Sequence, residues 1–205
     1  MCVNGETAFI GQKADPDSDR ITVDGKPLSR EGQKRYLMLN KPRGYVCTLS
    51  DEKGRKTVAE LVKDCGERVY PVGRLDLDSE GLLLLTNDGE WMHHLLHPRY
   101  EVNKTYEVSV AGAVRGAQEA LSSMTRLDGE PIRPAQVRVL RQGRDTALLS
   151  ITIHEGKNRQ IRRMCAAAGL HVKRLKRVQE HTLKLGDLPE GAWRDLTEQE
   201  LLATK

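Results

Sequence analysis

Apolar residues in this chain recur at every second position or in short runs, with turn-forming residues between them. Tyr36 to Leu39 reads as a strand, stopped by Lys41-Pro42-Arg43-Gly44. Val69 to Val72 and Leu82 to Thr86 read as two more, bracketing a polar loop from Gly73 to Gly81. Thr105 to Val110 alternates, with Tyr106, Val108 and Val110 directed inward, the pattern of a half-buried strand. Further strands fall near Gln136 to Leu140, Ala147 to His154, Val172 to Val178 and Thr182 to Leu185. Helical patterns stand between them: Thr57 to Lys63 with Thr57 as cap, Glu90 to Leu96 ended by Pro98, and Val114 to Ser123. Two more run from Asn158 to Ala168, closed by Gly169, and from Thr197 to Ala203. Strand runs separated by single helices, without regular crossover units, predict an α+β fold: a mixed, largely antiparallel sheet with flanking helices.

The front of the chain differs. Met1 to about Arg30 is short, polar and turn-rich, and its Val3-Asn4-Gly5 and Val23-Asp24-Gly25 segments are hairpin signals. Thirty residues bury too little surface to fold alone, so residues 1–30 are expected to be an appendage. The polar stretch Ser29 to Gln33 marks the boundary, and a main domain is expected over 35–205.

Composition narrows the class. The longest strictly aliphatic run, Leu82 to Leu85, is far short of the ~18 apolar residues of a membrane span. The N-terminus has neither a basic start nor an apolar stretch, so no signal peptide is expected. Four scattered cysteines without a C-x-x-C fit a reducing compartment, and a cytoplasmic location is expected. The net charge is +4, but Glu155 to Val178 holds eight Lys/Arg against one acid, leaving −3 on the rest. A basic stripe on a slightly acidic body suits a polyanion partner, although such a stripe is also compatible with a solvated helix face. With only two Trp, five Tyr and one Phe, sequence-tolerant binding of single strands on aromatic platforms is disfavoured.

Several chemistries find no support. There is no dinucleotide fingerprint, Gly186 and Gly191 lack the Lys-Ser/Thr of a phosphate loop, and no serine sits in G-x-S-x-G. His154-Glu155 has Asn158 where a zinc site needs its second histidine. His93, His94 and His97 share a helix without a nearby acidic ligand. No cofactor and no metal are expected.

The remaining candidate is Gly73-Arg74-Leu75-Asp76-Leu77-Asp78-Ser79-Glu80-Gly81. In an extended segment Arg74, Asp76 and Asp78 share one side, which sets Arg74 beside the Asp76 carboxylate. A contacting arginine keeps a carboxylate ionised, lowering its pKa by ~1–3 units, and suits it to act as nucleophile or base. The same loop also reads as calcium-like or merely solvated. Downstream, on a helical wheel, Arg159, Arg162 and Arg163 fall on one face, and Ile161, Met164, Cys165 and Ala168 gather opposite.

Gly73-Arg74-Leu75-Asp76, followed by Gly81 through Gly89, resembles the catalytic motif of bacterial ribosomal RNA pseudouridine synthases of the RsuA/RluB/RluE/RluF type. Leu39-Asn40-Lys41-Pro42-Arg43-Gly44 resembles their first motif, and Lys104-Thr105-Tyr106-Glu107-Val108 the segment bearing the active-site tyrosine. Glu155 through Met164 resembles the third motif, and Leu185 through Thr197 the closing signature. The likeness runs in order from about Arg35 to Ala203. It implies isomerisation of a uridine in ribosomal RNA, the large subunit favoured, by a monomer without cofactor. It assigns Asp76 as catalytic aspartate, Arg74 and Arg162 as holders of its carboxylate, Tyr106 as the stacking partner of the flipped base, and Ile161 as its opposite wall. Lys41, Arg159, Arg163, Lys173 and Arg174 are expected to contact the RNA. The front resembles the trailing half of an S4-type RNA-binding module, with the two preceding helices absent. Two other classes remain: a non-catalytic RNA-binding or ribosome-assembly protein with the same fold, and a hydrolase using the Asp76–Glu80 pair.

Overall fold

The computed structural model describes residues 1–15, 18–28 and 32–204. The boundary residues Ser29, Arg30 and Glu31 lie outside the described ones. The chain divides into two compact units, Met1–Lys34 and Arg35–Lys205.

The first unit is a four-stranded sheet of short strands: β1 (Cys2–Val3), β2 (Glu6–Thr7), β3 (Ile21–Val23) and β4 (Lys26–Pro27), in the order β2-β1-β3-β4. Both hairpins turn on the pairs read from the sequence. Asn4 and Gly5 have φ of 54° and 91°, and Asp24 and Gly25 have 51° and 74°. Positive φ at both central residues matches the right-handed twist of the strands they join.

The second unit is built on a nine-stranded sheet. In chain order its elements are β5 (Tyr36–Lys41), α1 (Val58–Leu61), β6 (Tyr70–Val72), β7 (Glu80–Thr86), α2 (Gly89–Leu96) and β8 (Lys104–Gly112). Then come α3 (Ala117–Ser122), a small hairpin of β9 (Arg126–Leu127) and β10 (Glu130–Pro131), β11 (Gln136–Gln142), β12 (Thr146–Ile153) and α4 (Gln160–Ala167). The chain ends through β13 (Leu170–Glu180), β14 (Leu183–Lys184), β15 (Trp193–Asp195) and α5 (Glu198–Leu202). The strand order is β11-β12-β8-β13-β7-β5-β15, with β14 against β13 and β6 against β7. Among these strands every pairing is antiparallel except β7 with β13. The mixed α+β sheet expected from the pattern is the one observed. The β9–β10 hairpin and β15 escaped that reading.

The cores follow from the side-chain alternation. Along β7, Leu83 and Leu85 join one cluster, while Leu82 and Leu84 join another on the opposite face. Both faces are covered there, which explains an unbroken aliphatic run where a one-sided strand would alternate. In β8, Tyr106, Val108 and Val110 enter the first cluster, and Leu149, Ile151 and Ile153 of β12 join them. The helices are capped by their own sequence: Asp88 accepts from the Glu90 N–H at 3.1 Å at the head of α2, and Glu60 accepts from the Thr57 N–H at 2.9 Å at the head of α1. Among the described residues no helix is long and apolar enough to cross a membrane.

Three central strands bring the chemistry into one row. Tyr106 of β8 pairs with Arg177 of β13, and Arg177 pairs with Gly81 of β7. Gly81 has a φ of 103°, and a Cβ placed on it would lie 2.2 Å from the Arg177 carbonyl oxygen. Only a residue without Cβ lets the two backbones approach so closely.

Candidate active site

A cavity of about 940 Å³ opens over this row. Its apolar side is formed by Leu75, Tyr106, Ile153, Ile161 and Leu175, and its polar wall includes Arg74, Asp76, Arg159, Lys104, Arg177 and Glu180. Tyr106 is buried, and burial pushes its phenol pKa up, so the ring stays neutral and protonated near pH 7. Ile161 belongs both to the core and to the cavity wall, so its packing and its pocket roles coincide.

The loop 73–79 is turned, not extended. Leu77 and Asp78 form a turn in which the Ser79 N–H donates to the Asp76 carbonyl at 3.1 Å. The side-by-side arrangement expected of Arg74 and Asp76 is therefore not formed. Arg74 is exposed, lines the cavity and has no acidic partner among the described residues. Asp76 is met instead by Arg159, whose Nη1 donates to Oδ2 at 3.2 Å, and among the described residues no hydrogen bond reaches Oδ1. Arg162, expected on Asp76, reaches the neighbouring acid: its Nη2 donates to the Asp78 carbonyl at 2.9 Å and lies 3.3 Å from the Asp78 carboxylate. Arg159 also grips Asp78 through both terminal nitrogens, at 3.1 and 3.0 Å, and this contact holds the Asp78 carboxyl below the usual range.

The wheel placed Arg159 on a helical face, whereas the helix begins one residue later. Arg159 is the residue before α4 and has a left-handed backbone, φ 48° and ψ 31°. That conformation turns the chain at the helix start, and from there the side chain reaches the loop.

Lys41 departs furthest from its expected role. It is fully buried, and its Nζ donates to the carbonyls of Pro42 at 3.0 Å, Asp76 at 3.2 Å and Ser79 at 2.8 Å. Its ammonium ties the loop to β5 and is not available to RNA. Burial is the leading influence on it and lowers its pKa. Arg174 is likewise engaged, donating to the Glu80 carboxylate at 2.7 Å, and Arg163 pairs with Asp128 in the β9–β10 turn. Of the residues expected on RNA, Lys173 is exposed and has no acidic partner among the described residues. The basic stripe is thus not one solvated face. Arg177 lies in the interior, donating from Nε to the Leu82 carbonyl at 2.7 Å and facing Glu180 at 3.2 Å.

The buried Arg177 and Glu180 and the half-buried Lys104 make a polar group beside Tyr106 that sequence reasoning did not assign. The Lys104 Nζ stands 3.8 Å from Glu180. A usable signal existed: Glu180 is the acid at the end of a strand whose four preceding charges are all basic.

The arrangement offers a carboxylate with one free oxygen, held at the rim of a slot walled by an aromatic ring and branched aliphatics. It can admit a flat base and act on the sugar attached to it. Comparison with known proteins points the same way. A family model described as RNA pseudouridylate synthase matches residues 35–167. The chain is 43% identical over 203 residues to ribosomal large subunit pseudouridine synthase B of Bacillus subtilis, across 97% of this chain and 82% of that protein. It is 36% identical over 190 residues to ribosomal small subunit pseudouridine synthase A of Escherichia coli, across 91% and 80%. A crystal structure of a pseudouridylate synthase superposes with a TM-score of 0.77 at 32% identity, across 100% of this chain and 88% of that one.

Proposed function

The chain belongs to the RNA pseudouridylate synthase family and is an RNA pseudouridine synthase, and from that premise we propose that it isomerises one uridine of large-subunit ribosomal RNA with Asp76 as the catalytic carboxylate. The observation that carries this reading is the ionisable Asp76, its Oδ1 free, on the wall of a cavity whose apolar side includes Tyr106 and Ile161. The large subunit is favoured by the higher identity to the Bacillus subtilis relative.

Isomerisation breaks the C1′–N1 bond, turns the uracil, and forms C1′–C5, while the C5 proton leaves and N1 gains one. Asp76 acts on the ribose, at C1′ or at a neighbouring ribose proton, and needs its negative charge in either case. Arg159 takes the holding role that the family likeness gave to Arg74 and Arg162. Tyr106 stacks on the flipped base and Ile161 closes the other side. Extruding a base costs a few kcal/mol, which phosphate contacts from exposed cations such as Lys173 and Arg74 offset.

The test uses RNA carrying tritium at C5 of uridine, which is released when C5 bonds to the sugar. Asp76→Asn keeps the shape and removes the charge. Its release is expected to fall to background while RNA affinity stays within about threefold, since a single surface charge contributes little. Release near the wild-type rate would refute the assignment of Asp76.

A further inference from the structure

We propose that Asp78 is a positioning residue for the reaction: its carboxylate anchors Arg159 and thereby sets where Arg159 meets Asp76. This rests on the reading of Asp76 as the catalytic carboxylate. Asp78 itself does not line the cavity, whereas Asp76, Leu77 and Ser79 do, so its influence on the substrate runs through a neighbour.

A single contact to Asp76 would hold Arg159 poorly. The side chain is 43% exposed and its one bond to Asp76 is 3.2 Å long. Exposed pairs of this kind contribute little, against a long side chain with much rotamer freedom. Asp78 adds two bonds from the same guanidinium, at 3.1 and 3.0 Å, in the forked geometry that fixes its plane. Asp78 is in turn immobilised: its carbonyl accepts from Arg162 at 2.9 Å and from Arg43 at 3.1 Å. The turn from Asp76 to Ser79 puts the two carboxylates on the same guanidinium.

The consequence concerns the free oxygen. While Asp78 occupies both terminal nitrogens of Arg159, that arginine engages Asp76 through Nη1 and Oδ2 alone, and Oδ1 remains available to the ribose. Without Asp78 the guanidinium is free to close on Asp76 as a two-point pair or to swing out to a phosphate. Either outcome misplaces the reacting carboxylate.

A double-mutant cycle separates this role from a general structural one. The variants are Asp78→Asn, Arg159→Gln and the pair, with Asp78→Ser as a second probe, each assayed by single-turnover tritium release over a range of RNA concentrations. Asp78→Asn is expected to lower the saturating rate by about ten- to a hundredfold, with the half-saturating RNA concentration within about twofold and an unchanged melting midpoint. In the Arg159→Gln background the same change should have almost no further effect. Multiplicative losses in the double variant, a loss confined to half-saturation, or a wild-type rate for both Asp78 variants would overturn the inference. The two readings fail separately: an active Asp76→Asn removes the premise, whereas an inactive Asp76→Asn with multiplicative Asp78 and Arg159 effects removes only the positioning role.

Discussion

Gly81→Ala probes the junction on which the site is built. The added methyl carbon would stand 2.2 Å from the Arg177 oxygen, 2.8 Å from its nitrogen and 3.0 Å from its carbonyl carbon. All three are backbone atoms in the middle of β13, so no side-chain rotation relieves the contact. Alanine must also adopt a φ of 103°. Strain of this kind costs about 1–3 kcal/mol, and forcing a methyl into a packed interior costs about 1–3 more. The total, about 2–6 kcal/mol, corresponds to a fall in melting midpoint of about 5–20 °C for a domain of this size. Circular dichroism melts of wild type and variant measure it. Gly89→Ala serves as the control, because nothing lies within 4 Å of a Cβ at Gly89, and its midpoint should move by no more than about 2 °C. Tritium release well below the midpoint should also drop, since Glu80 and Arg177 flank the junction beside the loop and Tyr106. A Gly81→Ala midpoint within about 2 °C of wild type would refute the close-approach argument.

Two further outcomes follow from the ionic partners. Lys41→Met keeps the length of the side chain but leaves the carbonyls of Pro42, Asp76 and Ser79 without their donor; a loss of about 2–4 kcal/mol is expected in urea unfolding, and a variant as stable as wild type would show that the clamp contributes nothing. Salt titrations of RNA binding should distinguish free from engaged cations: Lys173→Ala is expected to reduce the log–log slope by about 0.7–0.9 if it meets one phosphate, whereas Arg174→Ala, already paired with Glu80, should leave the slope unchanged. Equal flattening by both variants would contradict this division.

What could be read from the sequence was whatever is local. The alternation of Tyr106, Val108 and Val110 marked a strand because one face of β8 meets the core and the other does not. The Asn4-Gly5 and Asp24-Gly25 turns declared themselves because few residues tolerate positive φ. The same signal at Asp128-Gly129, with φ of 51° and 81°, was present and went unread, and with it the β9–β10 hairpin that holds Arg163. The motifs gave the family, and the family model and relatives agree. Which arginine meets which acid was not legible. Arg159 and Asp76 are 83 residues apart and Arg174 and Glu80 are 94 apart, so their pairing depends on the order of strands and not on spacing. The wheel misplaced Arg159 because a left-handed arginine ahead of a helix has no sequence signature; Asn158 was the more usual residue for that conformation.

The two acids of the loop, with Glu80 at the start of β7, explain why the basic segment is so dense. Between Gly73 and Ser79 only Leu75 and Ser79 are buried, so the loop has little apolar surface with which to fix itself. Its position is set by charge instead. Asp76 and Asp78 are held by Arg159 at the head of α4, Asp78 also by Arg162 within it, and Glu80 is held from β13 by Arg174, with Arg43 on the loop after β5 at 3.9 Å. Lys41 holds the backbone from beneath. Five of the eight cations between Glu155 and Val178 face a carboxylate of this protein: Arg159, Arg162, Arg163, Arg174 and Arg177. Most of the apparent excess charge is therefore spent internally, and the attraction of RNA falls to the few cations without an acid, among them Arg74 and Lys173. Guanidinium groups fixed in this way hold the loop from its acids and leave the cavity side of Asp76 uncovered, which is the arrangement the proposed role of Asp76 requires.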